Sequence, residues 1–171
     1  ELSCLAEKAA PFRSLINPEG PVFSAPGDLP SRIRRYCKQT KQPIPEDIGA
    51  IVRCIFESLA LCFRRAADGL RQLKGGGASC IHIVGGGARE AMLCQFTADA
   101  CNLPVYAGPV EATAIGNIAV QAMAAGELAG LHEARELIKR SFSVAAYTPV
   151  PPRSAWEDAY GKFLEVSAHK G

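Results

Sequence analysis

Ile51, Ile55, Leu59, Cys62, Ala66, Leu70 and Leu73 follow one another at steps of three and four residues, the apolar stripe of one long helix. Phe56 and Phe63 widen its predicted buried face. Arg53, Arg64, Arg65, Arg71 and Lys74 fall on the side expected to meet solvent. Pro43 and Pro45 stop the chain just ahead of it, and Glu46 and Asp47 put negative charge where a helix N-terminus favours it. The run Lys74-Gly75-Gly76-Gly77 is expected to end the helix, because glycine accepts left-handed C-terminal geometry.

Before this helix, the pattern predicts a short helix over 2–10 that ends at Pro11. A Pro- and Gly-rich stretch follows, dense enough to exclude a continuous helix or a central strand. A second short helix carries Ile33, Tyr36 and Cys37, with Ser31 as its expected cap. After the long helix the period changes. Cys80-Ile81-His82-Ile83-Val84 reads as a strand, Gly85-Gly86-Gly87 as a turn, and a helix continues through Leu93, Cys94, Thr97, Ala98 and Cys101 to a stop at Asn102. Leu103 to Tyr106 is a second short strand. Gly108-Pro109-Val110-Glu111 then turns into a helix ending near Ala125, whose inner face is small: Ala112, Gly116 and Ala119, then Met123. The tail predicts a charged helix over 133–140, a linker-like Tyr147 to Pro152, and a last helix with Trp156, Tyr160 and Phe163 on one face and a Ser154/Glu157 capping box.

Helices alternating with strands place the chain in the α/β class. Two strands are too few for a stable sheet, so further strands are expected from another chain, from dimerisation or from preceding sequence. The chain divides into helix and Pro/Gly-rich loops (1–45), an α/β core (46–127) and C-terminal helices with a linker (128–171), all within one domain portion.

A net charge of +2 and the lack of a basic, aromatic-interleaved stripe argue against nucleic acid. No apolar run approaches the ~18 residues of a membrane span. The first residue is Glu1 rather than Met, which fits a fragment or a processed product. Seven scattered cysteines with no CxxC pair are expected to be free thiols, most of them buried, in a reducing cytoplasm. His82, His132 and His169 stand apart from them, so no metal site is expected, and a Cys37–Cys54 bridge is left open.

The strand–glycine–helix order carries the clearest chemical signal. Glycines at a helix start let phosphate oxygens approach bare backbone N–H groups. It is not a Walker A loop, for no Gly-Lys-Ser/Thr follows; nor is it the dinucleotide fingerprint, whose third glycine would fall at Glu90. The other reading is a tight turn with no ligand. Arg89, expected in the first helical turn, opposes the helix dipole unless an anion sits there. Glu111 complements a dipole with or without a ligand, and Thr113 can bond either a ligand or its own backbone. His82 is expected to pack in the core, nothing marks Cys80 as activated, and no acid–base pair emerges.

Ile81-His82-Ile83-Val84-Gly85-Gly86-Gly87, Gln95-Phe96-Thr97-Ala98-Asp99-Ala100 and the string Ala107 to Asn117 together resemble the C-terminal part of the rhamnulokinase branch of the FGGY carbohydrate kinases. Ala25-Pro26-Gly27-Asp28 and Ile51 to Ala60 share the resemblance, which runs to about Glu127 and weakens beyond. It implies part of the C-terminal domain of an actin-like (ribonuclease H-like) ATPase fold, helix-rich with few strands. It also implies ATP with Mg²⁺ as cofactors, L-rhamnulose as substrate phosphorylated at its 1-hydroxyl, a cytoplasmic protein, and a monomer at full length. Gly85, Gly86 and Gly87 take the place of the family's nucleotide-contacting glycines, Gly86 foremost, with Arg89 beside them. Where the family has a small residue, then Gln or Lys and Asn, this chain has Ala88, Arg89 and Glu90.

The resemblance assigns no catalytic residue and no metal ligand to this chain. The N-terminal domain, most of the sugar pocket and the aspartate base lie outside it, so the chain alone is expected to be inactive. The competing expectations are a non-catalytic nucleotide-binding module that completes its sheet by oligomerisation, and an inert fragment whose glycine turn only packs.

Overall fold

A computed structural model describes residues 2–74 and 77–168. Gly75 and Gly76 of the expected helix stop, Glu1 and His169 lie outside the described residues. Among the described residues the elements are seven α-helices and three short strands: α1 (Leu2–Lys8), α2 (Leu29–Gln39), α3 (Ile48–Lys74), β1 (Ile81–Ile83), α4 (Ala91–Cys101), β2 (Val105–Ala107), α5 (Ala112–Ala124), α6 (Leu131–Ser141), β3 (Ala145–Tyr147) and α7 (Ser154–Ser167). Two 3₁₀ turns join them, at Pro21–Phe23 and Gly85–Arg89.

Asp47 caps α3, its carboxylate accepting the Ala50 N–H at 2.8 Å. The buried face of this helix is rotated from the predicted stripe. Ile51, Cys54, Glu57, Ser58, Leu61 and Cys62 are buried, whereas Leu70 and Leu73 are exposed and Phe63 is 38% exposed. The reason is that α3 is packed from several sides. Leu15, Ala60, Leu61, Ala100, Trp156 and Phe163 form one core, and Ile16, Ile33, Tyr36, Cys37, Ile51 and Cys54 another. Two polar residues thus fall inside. Ser58 accepts the Ile16 N–H at 2.9 Å and donates to the Cys54 carbonyl. Glu57 accepts from Arg53 at 2.7 Å and from the Phe12 N–H at 2.9 Å. Burial raises its pKa even with Arg53 beside it.

Arg71 is exposed as expected, but three of the arginines expected in solvent are corrected. Arg53 is held by Glu57; Arg64 bonds Glu157 at 2.6 Å and lies 4.0 Å above the Tyr160 ring; Arg65 bonds Glu19 and lies over Phe163. Their long stems cover apolar surface while their guanidinium groups stack and pair. Two caps also differ from expectation. Asp28, not Ser31, caps α2, receiving both the N–H and the hydroxyl of Ser31. At α7 the Ser154/Glu157 box does not form, because Glu157 is occupied by Arg64 and Arg153.

The sheet has three strands in the order β1-β2-β3, parallel then antiparallel, with Ile81 opposite Val105 and Val105 opposite Tyr147. The third strand corrects the expected shortage of two: it lies at 145–147, partly inside the stretch read as a linker. Ile81, Ile83, Val105 and Ala107 pack on Cys94 and Ala98 of α4. The opposite face carries His82, Tyr106 and Ala146 and is open, so His82 is exposed rather than packed. Asn102 ends α4 in the left-handed conformation, as expected. All seven cysteines are free, five of them buried. Cys37 and Cys54 are free thiols rather than a bridge, and the neighbouring Cys37 thiol together with burial pushes the Cys54 pKa well up. No described helix is long and apolar enough to cross a membrane.

Candidate nucleotide-binding turns

Because β1 and β2 run parallel and in register, their carboxyl ends release two turns side by side. In open α/β sheets this is the edge where ligands bind. The turns are stitched together: the Gly108 N–H donates to the Ile83 carbonyl at 2.9 Å, and the Gly85 N–H to the Pro109 carbonyl at 3.3 Å. Gly108 is required here. Its φ is +118°, and a Cβ would lie 3.0 Å from the Ser143 carbonyl oxygen, so the chain before β3 leaves no room for a side chain.

The expected site residues fall as follows. Gly85, Gly86 and Gly87 do not lead directly into an α-helix; they form a 3₁₀ turn that ends at Arg89. The helix α4 starts at Ala91, and Glu90, bonded by the Ser3 hydroxyl at 2.8 Å, stands before it. A carboxylate thus already complements the α4 dipole. The expected helix-start cradle is corrected to the 3₁₀ turn itself, which leaves its leading N–H groups without helical partners. A Cβ on Gly86 would meet nothing within 4 Å, so packing does not demand glycine there. Arg89 ends the turn outside α4, 69% exposed and 3.8 Å from the Glu111 carboxylate. The two turns therefore share a loose ion pair over their mouth, and Thr113 is exposed at the start of α5.

Beside the turns lies a cleft of about 360 Å³ lined by Ala88, Gly108 to Glu111, Ile115, Phe142 and Ser143. Sequence reasoning missed its far wall, 142–145, because a three-residue strand flanked by Ser143 and Pro149 gives no alternating pattern long enough to read. The small face of α5 is only half-buried, and no residue of that helix is buried. Among the described residues no group of three or more His, Cys, Asp or Glu could hold a metal ion.

Residues 1–125 match the family model described as the FGGY family of carbohydrate kinases, C-terminal domain. The chain is 48% identical over 163 residues to a rhamnulokinase of Bacteroides thetaiotaomicron, covering 95% of this chain and 33% of that protein. It is 39% identical over 170 residues to a rhamnulokinase of Enterococcus faecalis, covering 98% and 34%. It spans about a third of the length of the curated relatives it matches. Among solved structures, xylulose kinase from Rhodospirillum rubrum superposes with a TM-score of 0.65 at 23% identity, covering 98% of this chain and 33% of that one. Plasmodium falciparum glycerol kinase with ADP gives 0.66 at 16%, covering 99% and 34%. At these identities the two structures speak for the fold alone, and both carry it.

Proposed function

The chain belongs to the FGGY family of carbohydrate kinases, whose C-terminal domain it carries, and from that premise we propose that residues 1–171 form one side of the ATP site of a cytoplasmic L-rhamnulose kinase. The intact enzyme would move the γ-phosphoryl group of ATP to the 1-hydroxyl of L-rhamnulose, giving ADP and L-rhamnulose 1-phosphate. The sugar identity rests on the rhamnulokinase relatives.

The observation that carries the nucleotide assignment is the open space over Gly86, at the carboxyl ends of two parallel strands. A glycine that the protein's own packing does not need, in a turn whose leading N–H groups have no partners within a helix, suits the backbone approach of a phosphate or ribose. Gly85 and Gly87 flank it. Arg89 would leave its loose pairing with Glu111 to meet the phosphate charge. Magnesium fits less well. The described residues hold no group of three or more candidate ligands, and Mg²⁺ would come with the nucleotide phosphates, which need at most one or two carboxylates from the protein.

Phosphoryl transfer depends on positioning and on electrostatic stabilisation of the transferring group. One wall of a cleft cannot supply both, so this chain alone should lack activity. The test is Gly86→Val in the full-length kinase, with ATP affinity measured by calorimetry. The branched side chain should weaken binding at least about tenfold, roughly 1.4 kcal/mol. Unchanged affinity would overturn the assignment. Mg-ATP titrated into this chain by itself tells whether the turn is a preformed half-site.

A further inference from the structure

The run Gln95-Phe96-Thr97-Ala98-Asp99 takes no part in the glycine turns, yet two of its side chains reach the segment that follows β3. Gln95 and Asp99 are one helical turn apart on α4 and share a face. The Gln95 amide donates twice, to Asp99 Oδ1 and to the Thr148 carbonyl, each at 2.9 Å. Asp99 Oδ1 also accepts the Val150 N–H at 2.8 Å. A carbonyl and an N–H two residues apart are thus held by side chains much as a neighbouring strand would hold them. Every donor and acceptor belongs to this chain, so the clamp is complete within it. Gln95 and Asp99 lie inside the family match, which ends at residue 125, and the segment they hold lies beyond it.

The strand β3 needs such a hold. It is three residues long, and Ala145 and Ala146 carry too little apolar surface to fix it by packing, whatever covers them. Only Tyr147 packs against the Cys94 and Ala98 cluster. Just ahead of β3, the Ser143 carbonyl oxygen stands 3.0 Å from where a Cβ on Gly108 would lie. Gly108 in turn donates to the Ile83 carbonyl, two residues before Gly85. A slip of β3 along β2 would therefore move the wall that shapes the Gly108 turn, and the Gly85 turn with it.

We propose that Gln95 and Asp99 are positioning residues for the nucleotide turns. By clamping Thr148 and Val150 they fix β3, and β3 fixes the turns at Gly85–Arg89 and Gly108. That role rests on the assignment of those turns to ATP. Neither side chain lines the cleft beside the turns, whereas Phe142, Ser143 and Ala145 do, so the effect passes through the backbone of β3 and the residues before it.

The test uses the full-length protein. Asp99→Leu removes the acceptor, and Gln95→Leu removes the donor to Thr148. Hydrogen exchange read by mass spectrometry follows peptides over 84–90 and 105–112, and calorimetry follows Mg-ATP affinity. Each variant loses two hydrogen bonds of the clamp and should speed exchange in both turns at least about fivefold, with ATP bound about three- to tenfold more weakly. Exchange within α3 should stay as it was. Asp99→Asn, whose amide oxygen can still accept both bonds, should keep exchange and affinity at their original values. Unchanged exchange in the turns, or a loss that Asp99→Asn reproduces in full, overturns the clamp even if Gly86→Val still weakens ATP binding. Loosening of α3 together with the turns in both leucine variants marks a general loss of stability and overturns it as well. Faster exchange in the turns with ATP affinity unaltered removes the turns from the nucleotide site, and the positioning role falls with that assignment.

Discussion

The half of the molecule built around α3 and α7 and the half around the glycine turns and α5 use their side chains in opposite ways. In the first, Phe163, Leu61 and Ala60 have essentially no exposed surface, and even the charged residues are absorbed: Glu57 is 1% exposed and its arginine partner is mostly covered. In the second, a 13-residue helix buries nothing, Ile118 and Val120 stand in the open, and the space over Gly86 is empty. The first half satisfies its own residues. The second leaves backbone and apolar surface uncovered within this chain, which spans about a third of the length of the curated relatives it matches.

That contrast can be broken most forcefully in the core. Phe163→Ala removes a fully buried ring that packs with Trp156 and Leu61, and should cost about 3–5 kcal/mol in urea unfolding. Glu57→Ala leaves Arg53 and the Phe12 N–H without their buried acceptor; the expected loss is about 3 kcal/mol by the same measurement. Arg64→Ala unties α7 from α3 by removing the Glu157 bond and the stack on Tyr160. Glu157 is half exposed, so the expected cost is smaller, about 1 kcal/mol.

Alkaline pH probes the same half more gently. Burial pushes the Cys101 thiol from an ordinary value near 9 up to about 12, and raises Cys62 and Cys94 as well. A folded-state pKa above the unfolded one means stability that is complete below pH 9 and is lost as pH climbs from there toward about 12. The unfolding midpoint should therefore fall over that window, and less steeply in Cys101→Ala. The smallest effect sits in the other half. Gly86→Ala should change stability by less than about 0.5 kcal/mol, since its methyl meets nothing, while still lowering ATP affinity in the full-length kinase. A large loss of stability there would erase the distinction between the halves.

Local signals were readable from the chain because their causes are local. The three- and four-residue apolar steps produced α3, Asn102 stopped α4, and Pro and Gly punctuation marked the loops. The two glycine turns were also visible, since few other residues fit that backbone. Errors arose wherever a second element decided the outcome. Arg53, Arg64 and Arg65 look like a solvated face until Glu57, α7 and Glu19 are laid against them. The Ser154/Glu157 box is a sound local pattern that a distant arginine outcompetes. His82 reads as a core residue because its strand is apolar, yet α4 covers only the other face of the sheet.

The sequence by itself determined the family, the alternation of helices and strands, and the two glycine turns that follow the parallel strands. These depend on backbone preferences and short-range spacing. The tertiary structure decided which face of α3 is buried, that β3 completes a three-stranded sheet, and that Arg89 meets Glu111 across adjoining turns. It alone brought Gln95 and Asp99 against the segment that follows β3. Such outcomes follow from contacts between residues far apart in the chain, and no local pattern encodes which of several possible partners will arrive.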